Sequence, residues 1–197
     1  MSNDVGFQPS MDDGGLRFFS TAVSKSKCFL EYGAGGSTAY AANVGKVNSI
    51  ISVDTSKVWV DKVKQSLSSS ETVLLINHCD LGDVGDWGTP LNRDKSAEFW
   101  RYTVTPWRVA KESKLIPDLV LIDGRFRVSA FLYSLLSARV GTLIMFDDYL
   151  DREHYFVVEN FCKLQEKHGR MGVFFVEHNY SLPEIAAAIA EYSTNWA

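Results

Sequence analysis

The sequence predicts an α/β fold: a doubly wound, mostly parallel sheet of six or seven strands with helices on both faces. Two observations carry this prediction. Short apolar runs alternate with segments of helical composition along the chain, and strands that are apolar throughout are typical of a parallel sheet covered on both faces. In addition, a glycine cluster follows the first apolar run and acidic residues follow the later ones. This arrangement is typical of the strand-end edge where open α/β sheets bind ligands.

The predicted elements follow one another in a regular order. Strands are expected over residues 28–32, 49–53, 73–76, 118–122, 142–146 and 172–176. Helices are expected over residues 37–43, 57–67, 128–136, 152–168 and 183–192. Ser56 is placed to cap the second of these helices, and the serine run at 68–70 is placed to end it.

Composition sets the limits of the functional search. The 197 residues are 46% hydrophobic, which is enough for one domain over 1–197 with residues 1–24 as an N-terminal tail and helix. The formal net charge of −4 and the lack of basic runs argue against nucleic-acid and membrane partners. The three cysteines are expected to be reduced in a cytoplasmic protein. The polar N-terminus is not a signal peptide, and a homodimer is left open.

Residues 81–116 break the alternation of short strands and helices. The segment is rich in glycine and tryptophan, and it contains Trp87, Trp100 and Trp107. It is too long for a plain connection. It is therefore predicted to form a lid over the binding edge, with an aromatic patch packed on the sheet as the alternative.

The strongest chemical signal is the turn after the first strand, which reads E-Y-G-A-G-G-S-T from Glu31 to Thr38. Glycines let the backbone turn tightly and approach a ligand closely. The free N–H groups at the start of the next helix favour negative groups. The turn is predicted to bind a cofactor, because Glu31 and Asp54 are unexplained if it is only a glycine-rich turn.

Acidic residues follow the second and third strands. Asp54 stands about 20 residues after the glycine turn, where a carboxylate accepts hydrogen bonds from both ribose hydroxyls; a turn or capping role is the alternative. Asp80 is placed to accept from the exocyclic amine of an adenine, with Leu81 or Trp87 packed on the ring. Simple turn chemistry in the D-L-G-D stretch is the alternative there.

Three further carboxylates follow the fourth and fifth strands. Asp123, Asp147 and Asp148 are predicted to meet at the same sheet edge. They suit a Mg²⁺ or Ca²⁺ ion, which prefers oxygen ligands, or one of them serves as a general base toward a substrate hydroxyl. Alternatively, Asp147 and Asp148 cap the next helix.

The carboxylate cluster needs a partner, because like charges held close repel. A cation, a shared proton or a nearby arginine would each serve, and Arg125, Arg127 and Arg152 are available. An arginine fork also suits a carboxylate or phosphate of a substrate. For Arg125 and Arg127, pairing with neighbouring carboxylates is the favoured interpretation.

Taken in order, these motifs resemble those of class I S-adenosylmethionine-dependent methyltransferases, which have a Rossmann-like sheet. The motifs are E-Y-G-A-G-G-S-T, V-D, H-C-D, L-V-L-I-D-G and L-I-M-F-D-D-Y, and they span residues 29–176. The last two look most like a subgroup of small O-methyltransferase-like proteins. The family sheet usually ends in an antiparallel seventh strand; here the residues after 176 look helical, so six strands are acceptable.

The resemblance implies a role for each site residue. Glu31 would contact the methionine amino group of S-adenosylmethionine, Asp54 the ribose, and Asp80 with Leu81 the adenine. The methionine part would be lined by the small residues of the turn, namely Gly33, Gly35 and Ser37. Asp123 would lie near the methyl group, with Asp147 and Asp148 near the acceptor.

The implied function is methyl transfer to a small-molecule acceptor, at a hydroxyl group. Many relatives carry a histidine shortly after the I-D-G motif, where this chain has Phe126 and Arg127. That departure supports the alternative of a cofactor-binding or scaffold module without turnover. A nicotinamide dehydrogenase is less favoured because Thr38 stands at the last glycine of its motif, and a hydrolase because its nucleophile turn normally follows several strands.

Overall fold

The computed structural model describes residues 8–67 and 70–196. The predicted N-terminal tail before residue 8 lies outside the described residues. So do positions 68 and 69 of the serine run and the last residue of the chain.

One seven-stranded sheet organises the described residues and confirms the predicted fold class. Its strands are β1 (Cys28–Tyr32), β2 (Ser49–Asp54), β3 (Val73–His78), β4 (Leu119–Ile122), β5 (Leu143–Phe146), β6 (Glu166–His168) and β7 (Met171–Phe175). Their order across the sheet is β3-β2-β1-β4-β5-β7-β6. The first five strands are parallel, and β7 runs antiparallel to both β5 and β6.

Helices cover both faces of the sheet. They are α1 (Asp13–Val23), α2 (Gly36–Tyr40), α3 (Lys57–Ser66), α4 (Trp100–Glu112), α5 (Arg127–Ser137) and α6 (Leu182–Tyr192). One apolar core lies between the sheet and α1 to α3, and a larger one lies between the sheet and α4 to α6. Among the described helices, none combines the length and apolar character that crossing a bilayer requires.

Helix α3 shows how local sequence sets these elements. The Ser56 hydroxyl accepts a hydrogen bond from the Trp59 amide at 3.3 Å and so satisfies one of the free donors of the first turn, as predicted. Val60 and Val63 lie on one face and are fully buried against the sheet, while Lys57, Lys62 and Lys64 face solvent.

The long helix predicted over 152–168 is wrong. A 3-10 helix covers Glu153–Asn160, and β6 covers Glu166–His168. The reason lies in the next two residues, since β6 and β7 pair through a two-residue loop of Gly169 and Arg170. Gly169 has a φ of +60°, which is the conformation that a tight hairpin requires at this position. The hairpin supplies the seventh strand that the apolar pattern missed.

The segment 81–116 consists of two parts with different structures. Its second half is α4, which buries Tyr102 and Trp107 against the sheet. The tryptophans led us to expect a lid or an aromatic patch over the whole segment. Instead, packing against the sheet stabilises a helix that connects β3 to β4. The first half is irregular and leaves Trp87 82% exposed. A lid role is confined to residues 81–99 and stays a prediction.

The close backbone contact at Gly33 predicts the effect of one substitution. Gly33 has a φ of +95°, and a Cβ there would lie 2.9 Å from the Gly124 backbone. Gly141 has a φ of +85° with nothing within 4 Å of such a Cβ. Both alanine variants strain the backbone, so Gly141→Ala is the matched control. Urea unfolding should show Gly33→Ala less stable than Gly141→Ala by about 1–3 kcal/mol, the usual effect of overpacking. Equal losses would contradict the close approach.

Candidate functional site

The carboxyl ends of the central strands bring the predicted site residues to one edge of the sheet. The parallel register aligns the last apolar residues of β2, β1, β4 and β5, which are Val53, Tyr32, Ile122 and Phe146. The residues that follow them are therefore neighbours: the glycine turn, Asp54, Asp123 and Asp147. This is the edge at which open α/β sheets bind ligands.

Glu31 connects the glycine turn to the sheet through side-chain hydrogen bonds. Its side chain is fully buried in β1. The carboxylate accepts hydrogen bonds from Ser37, from Thr38 at 2.5 Å and from Ser52 of β2 at 3.0 Å. Burial raises the pKa of Glu31 to about 7, although these three hydroxyls counteract the rise. At neutral pH the Glu31 carboxyl is therefore close to its own pKa. It is held by hydroxyl donors, and no cation of the described residues pairs with it.

The glycine turn is shaped by close backbone contacts. Gly33 lies against Gly124 of the loop after β4, and the Gly35 amide donates to the Thr38 hydroxyl at 2.8 Å. The Trp59 indole lies beside Gly35 and donates to the Ala34 carbonyl at 2.5 Å. The turn is therefore fixed before any ligand arrives.

Asp54 ends β2 with a poorly solvated carboxylate. It accepts from the Ser56 amide at 2.8 Å, so the predicted turn chemistry is present. Burial raises its pKa to about 6, against the effect of backbone donors and of Arg125. The loop over it is held by the Thr55 hydroxyl, which donates to the Gly88 carbonyl at 2.6 Å. Asp54 is thus a half-buried acceptor beside the glycine turn, and its contact with a ribose stays a prediction.

The residues after β3 divide between surface and core. Asp80 is exposed, pairs with Lys95 at 2.7 Å and accepts from the Gly82 amide at 3.0 Å; the hydrogen bond from Lys95 lowers its pKa. Leu81 is buried in the core, and Trp87 is exposed on the loop above. Their predicted contacts with an adenine stay predictions.

The structure brings Asp123, Asp147 and Asp148 together. One carboxylate oxygen from each lies within 4.8 Å of the others. Asp147 is 1% exposed, and Asp148 adopts a left-handed backbone conformation with φ +56°. That conformation lets two consecutive residues direct their carboxylates into one cluster, so they do not serve mainly as helix caps.

Arg127 is buried beneath this cluster. Its guanidinium donates to the Gly124 carbonyl at 2.9 Å and to the Asp147 carbonyl at 2.7 Å. It also pairs with Asp123 at 3.1 Å and with Asp148 at 3.2 Å. The interpretation that Arg127 pairs with neighbouring carboxylates matches these contacts.

Two further arginines pair with the same cluster from the solvent side. Arg152 pairs with Asp148 at 3.0 Å. Arg170 pairs with Asp147 at 3.0 Å and with Asp148 at 2.8 Å. Sequence reasoning missed Arg170, because its place depends on the unrecognised hairpin; the His168-Gly169-Arg170 turn is the signal that would have found it.

Asp123 differs from the other two aspartates. Burial raises its pKa to about 7; Arg127 lowers it, and the charges of Asp147 and Asp148 raise it. Within the described residues only one of its oxygens, Oδ1, has a hydrogen-bond partner. Asp123 therefore has both a free oxygen and a pKa close to neutrality, which are the properties of a general base.

The segment of residues 8–12, called the strap below, lies across this edge. A Cβ on Gly36 would collide with the Gln8 carbonyl. Arg170 donates to the Ser10 carbonyl at 2.5 Å, and the Arg170 amide donates to Asp12 at 2.6 Å. Asp12 also caps α1 through the Gly15 amide at 2.7 Å. The strap thus connects the glycine turn to the arginine–aspartate cluster.

The donor set does not fit a divalent cation. Both oxygens of Asp147 accept from Arg170, and those of Asp148 face Arg127, Arg152 and Arg170. Three guanidinium groups already neutralise three carboxylates, and a dication would face repulsion from all three. The structure therefore gives no support to the predicted Mg²⁺ or Ca²⁺ ion.

A cavity of about 500 Å³ lies away from this edge, between α4 and α5. It is lined by residues 115–117, which precede β4, and by Ala138 and Arg139, which precede β5. It therefore opens at the amino ends of the strands. None of the predicted site residues lines it.

The comparisons with known proteins agree with the fold. No protein-family model matches the chain, and no curated protein matches it. A methyltransferase-like protein from Silicibacter pomeroyi DSS-3 is similar, with 31% identity and a TM-score of 0.87, over 96% of this chain and 98% of that chain. An rRNA methyltransferase from T. thermophilus, solved with AdoMet and guanosine, has 13% identity and a TM-score of 0.43, over 93% of this chain and 45% of that one. That second match is too distant to carry an argument.

The sheet order is that of a class I methyltransferase fold, as the motif resemblance implies. The similarity to the Silicibacter protein over nearly both full lengths makes the relationship specific: the chain belongs to this family of methyltransferase-like proteins. The O-methyltransferase subgroup stays a prediction.

The buried Glu31 predicts a pH dependence of stability. Its pKa rises from 4.5 to about 7 on folding, so the folded state binds a proton that the unfolded state has released. Stability therefore falls as pH rises through this window. Thermal unfolding between about pH 5 and about pH 8 should show a smaller fall for Glu31→Gln, which stays neutral, than for wild type. The exposed Glu184→Gln variant is the control and should keep the wild-type slope; an unchanged slope in Glu31→Gln would contradict the assignment.

Proposed function

We propose that this protein transfers a methyl group from S-adenosylmethionine to a hydroxyl of a small-molecule acceptor. The observation that carries the proposal is the position of Asp123. Its carboxylate has a pKa of about 7 and stands directly after β4, next to the point where Gly124 touches Gly33 of the glycine turn. A base at this position is suited to remove the proton of an acceptor hydroxyl during methyl transfer.

The residues at this edge suit S-adenosylmethionine. Gly33 and Gly35 present backbone without a side chain, and Asp54 is a half-buried acceptor suited to ribose hydroxyls. Glu31 holds the turn through Ser37 and Thr38, and its proposed ligand contact is the methionine amino group. The other residues proposed to line the site are Ser37, Asp80 and Leu81. When bound, the cofactor supplies an already activated methyl group, so the protein mainly aligns the acceptor.

The three aspartates have different tasks in this proposal. Asp123 accepts the proton of the acceptor hydroxyl through its free oxygen. Asp147 and Asp148 hold Arg127 and Arg170 in place, so they position the site and do not take the proton. This narrows the predicted catalytic set to one base. A divalent cation is left out of the proposal because the arginines neutralise the cluster.

A small acceptor fits the surroundings of the site. The chain has a net charge of −4, and the strap and the 81–99 segment border the edge closely, which suits a small molecule better than a nucleic acid. Binding without turnover is the second candidate. It is favoured by the engagement of Glu31, Asp147 and Asp148 in contacts within the chain.

The first test is cofactor binding. S-adenosylhomocysteine should bind the wild-type protein in isothermal calorimetry. Asp54→Asn should weaken binding by about 1–3 kcal/mol, because ribose hydroxyls lose a charged acceptor. Asp61→Asn, on the exposed side of α3, is the matched control and should bind like wild type. No binding to the wild-type protein at millimolar ligand would rule out both candidate functions.

The second test separates an enzyme from a binding module. Wild-type protein, methyl-labelled cofactor and a panel of hydroxylated small molecules should give labelled product. The rate should rise with pH through about 7, where Asp123 loses its proton, because only the carboxylate accepts one. Asp123→Asn should lose about 10²–10⁴-fold in rate while keeping cofactor affinity, and the exposed Asp151→Asn should keep both. Binding without any product would favour the module.

A further inference from the structure

Four arginines lie at the carboxyl edge of the sheet, and three of them have acidic partners. Arg127, Arg152 and Arg170 pair with the aspartate cluster at distances of 2.8–3.2 Å. The cluster contributes three carboxylates, so its charges are matched one to one. The fourth arginine, Arg125, has no carboxylate of the cluster left to pair with.

Arg125 has no counter-ion in the part of the chain that the structure describes. Its side chain forms no ion pair there, and its Nε atom is buried without a hydrogen-bond partner. The backbone is nevertheless fixed, since the Arg125 amide contacts the Tyr102 hydroxyl at 3.3 Å. Burying part of a cation without a partner costs free energy. Folding alone does not explain why an arginine is held here.

The surroundings of Arg125 place it within the site. It is close enough to Asp54 to lower the pKa of that carboxyl without forming an ion pair. Burial lowers the pKa of Arg125, and the charge of the neighbouring Arg127 lowers it further. Arg125 therefore stands two residues after Asp123, in the loop after β4 that contacts the glycine turn through Gly124 and α4 through the Tyr102 hydroxyl.

From this we infer that Arg125 binds an anionic group of the ligand at this edge, a carboxylate or a phosphate. A guanidinium presents a planar fork of donors that matches both groups in a bidentate manner. The inference rests on the proposed function, because it names part of the ligand in the same site. Two sources supply such an anion: the methyl acceptor, and the carboxylate of the cofactor itself.

The first arm of the test identifies the cofactor as the source or excludes it. Affinities for S-adenosylhomocysteine and for methylthioadenosine, which lacks the amino-acid part, are measured with wild type, Arg125→Gln, Arg125→Lys and the exposed control Arg139→Gln. If the cofactor supplies the anion, Arg125→Gln loses roughly ten- to a hundredfold for S-adenosylhomocysteine and nothing for methylthioadenosine. Arg125→Lys loses less, because it keeps the charge but not the fork.

The second arm uses inorganic phosphate and acetate as probes. The Nε–H resonance of Arg125, assigned by its loss in Arg125→Lys, is followed by NMR during each titration, with and without S-adenosylhomocysteine. If the acceptor supplies the anion, both adenosine ligands bind Arg125→Gln like wild type, and the resonance shifts and saturates. Because this arm also runs without cofactor, it decides the inference even if the proposed function fails.

Folding of the variants is checked by thermal unfolding. Arg125→Gln should unfold at the wild-type temperature or above it, because it removes an unpartnered charge, whereas a structural role would lower the temperature. The inference is overturned if Arg125→Gln binds S-adenosylhomocysteine like wild type and the Nε–H resonance is unmoved by both anions.

Discussion

The buried guanidinium of Arg127 holds together the two loops from which the site is built. It reaches backbone carbonyls after β4 and after β5 and, at the same time, the side chains of Asp123 and Asp148. Breaking such a buried pair typically costs about 3–5 kcal/mol. The relative position of the two loops, and with it the spacing of the aspartates, therefore depends on one side chain.

Glu31 has the corresponding function on the other side of the edge. It connects β1 to the start of α2 and to Ser52 of β2 through hydroxyl donors. A neutral carboxyl and a carboxylate both use such donors, so the turn keeps its shape through a change of protonation. The contrast with Arg127 is physical: the Arg127 guanidinium stays charged at neutral pH, whereas the Glu31 carboxyl is close to its own pKa.

Much of this architecture could be predicted from the sequence because it depends on local patterns. Apolar runs fix the strands, Ser56 fixes the start of α3, and the parallel sheet then collects Asp54, Asp123 and Asp147 at one edge. The parts that could not be predicted depend on tertiary contacts. The short strand β6 has no apolar pattern and exists through its pairing with β7. The position of Arg170 depends on that hairpin. Helix α4 was not predicted because its segment is rich in tryptophans, whose burial differs from residue to residue.

The strap explains why one glycine of the turn, Gly36, has no side chain. Gly36 lacks a side chain because the carbonyl of Gln8 occupies that space, so its steric partner is the chain's own backbone. The residue at position 36 is thus expected to vary among relatives with the path of the N-terminal segment and not with the side chain at position 8. A homologue whose N-terminus takes another path is free to carry alanine or serine at position 36, and one that keeps glycine there retains the space for this path.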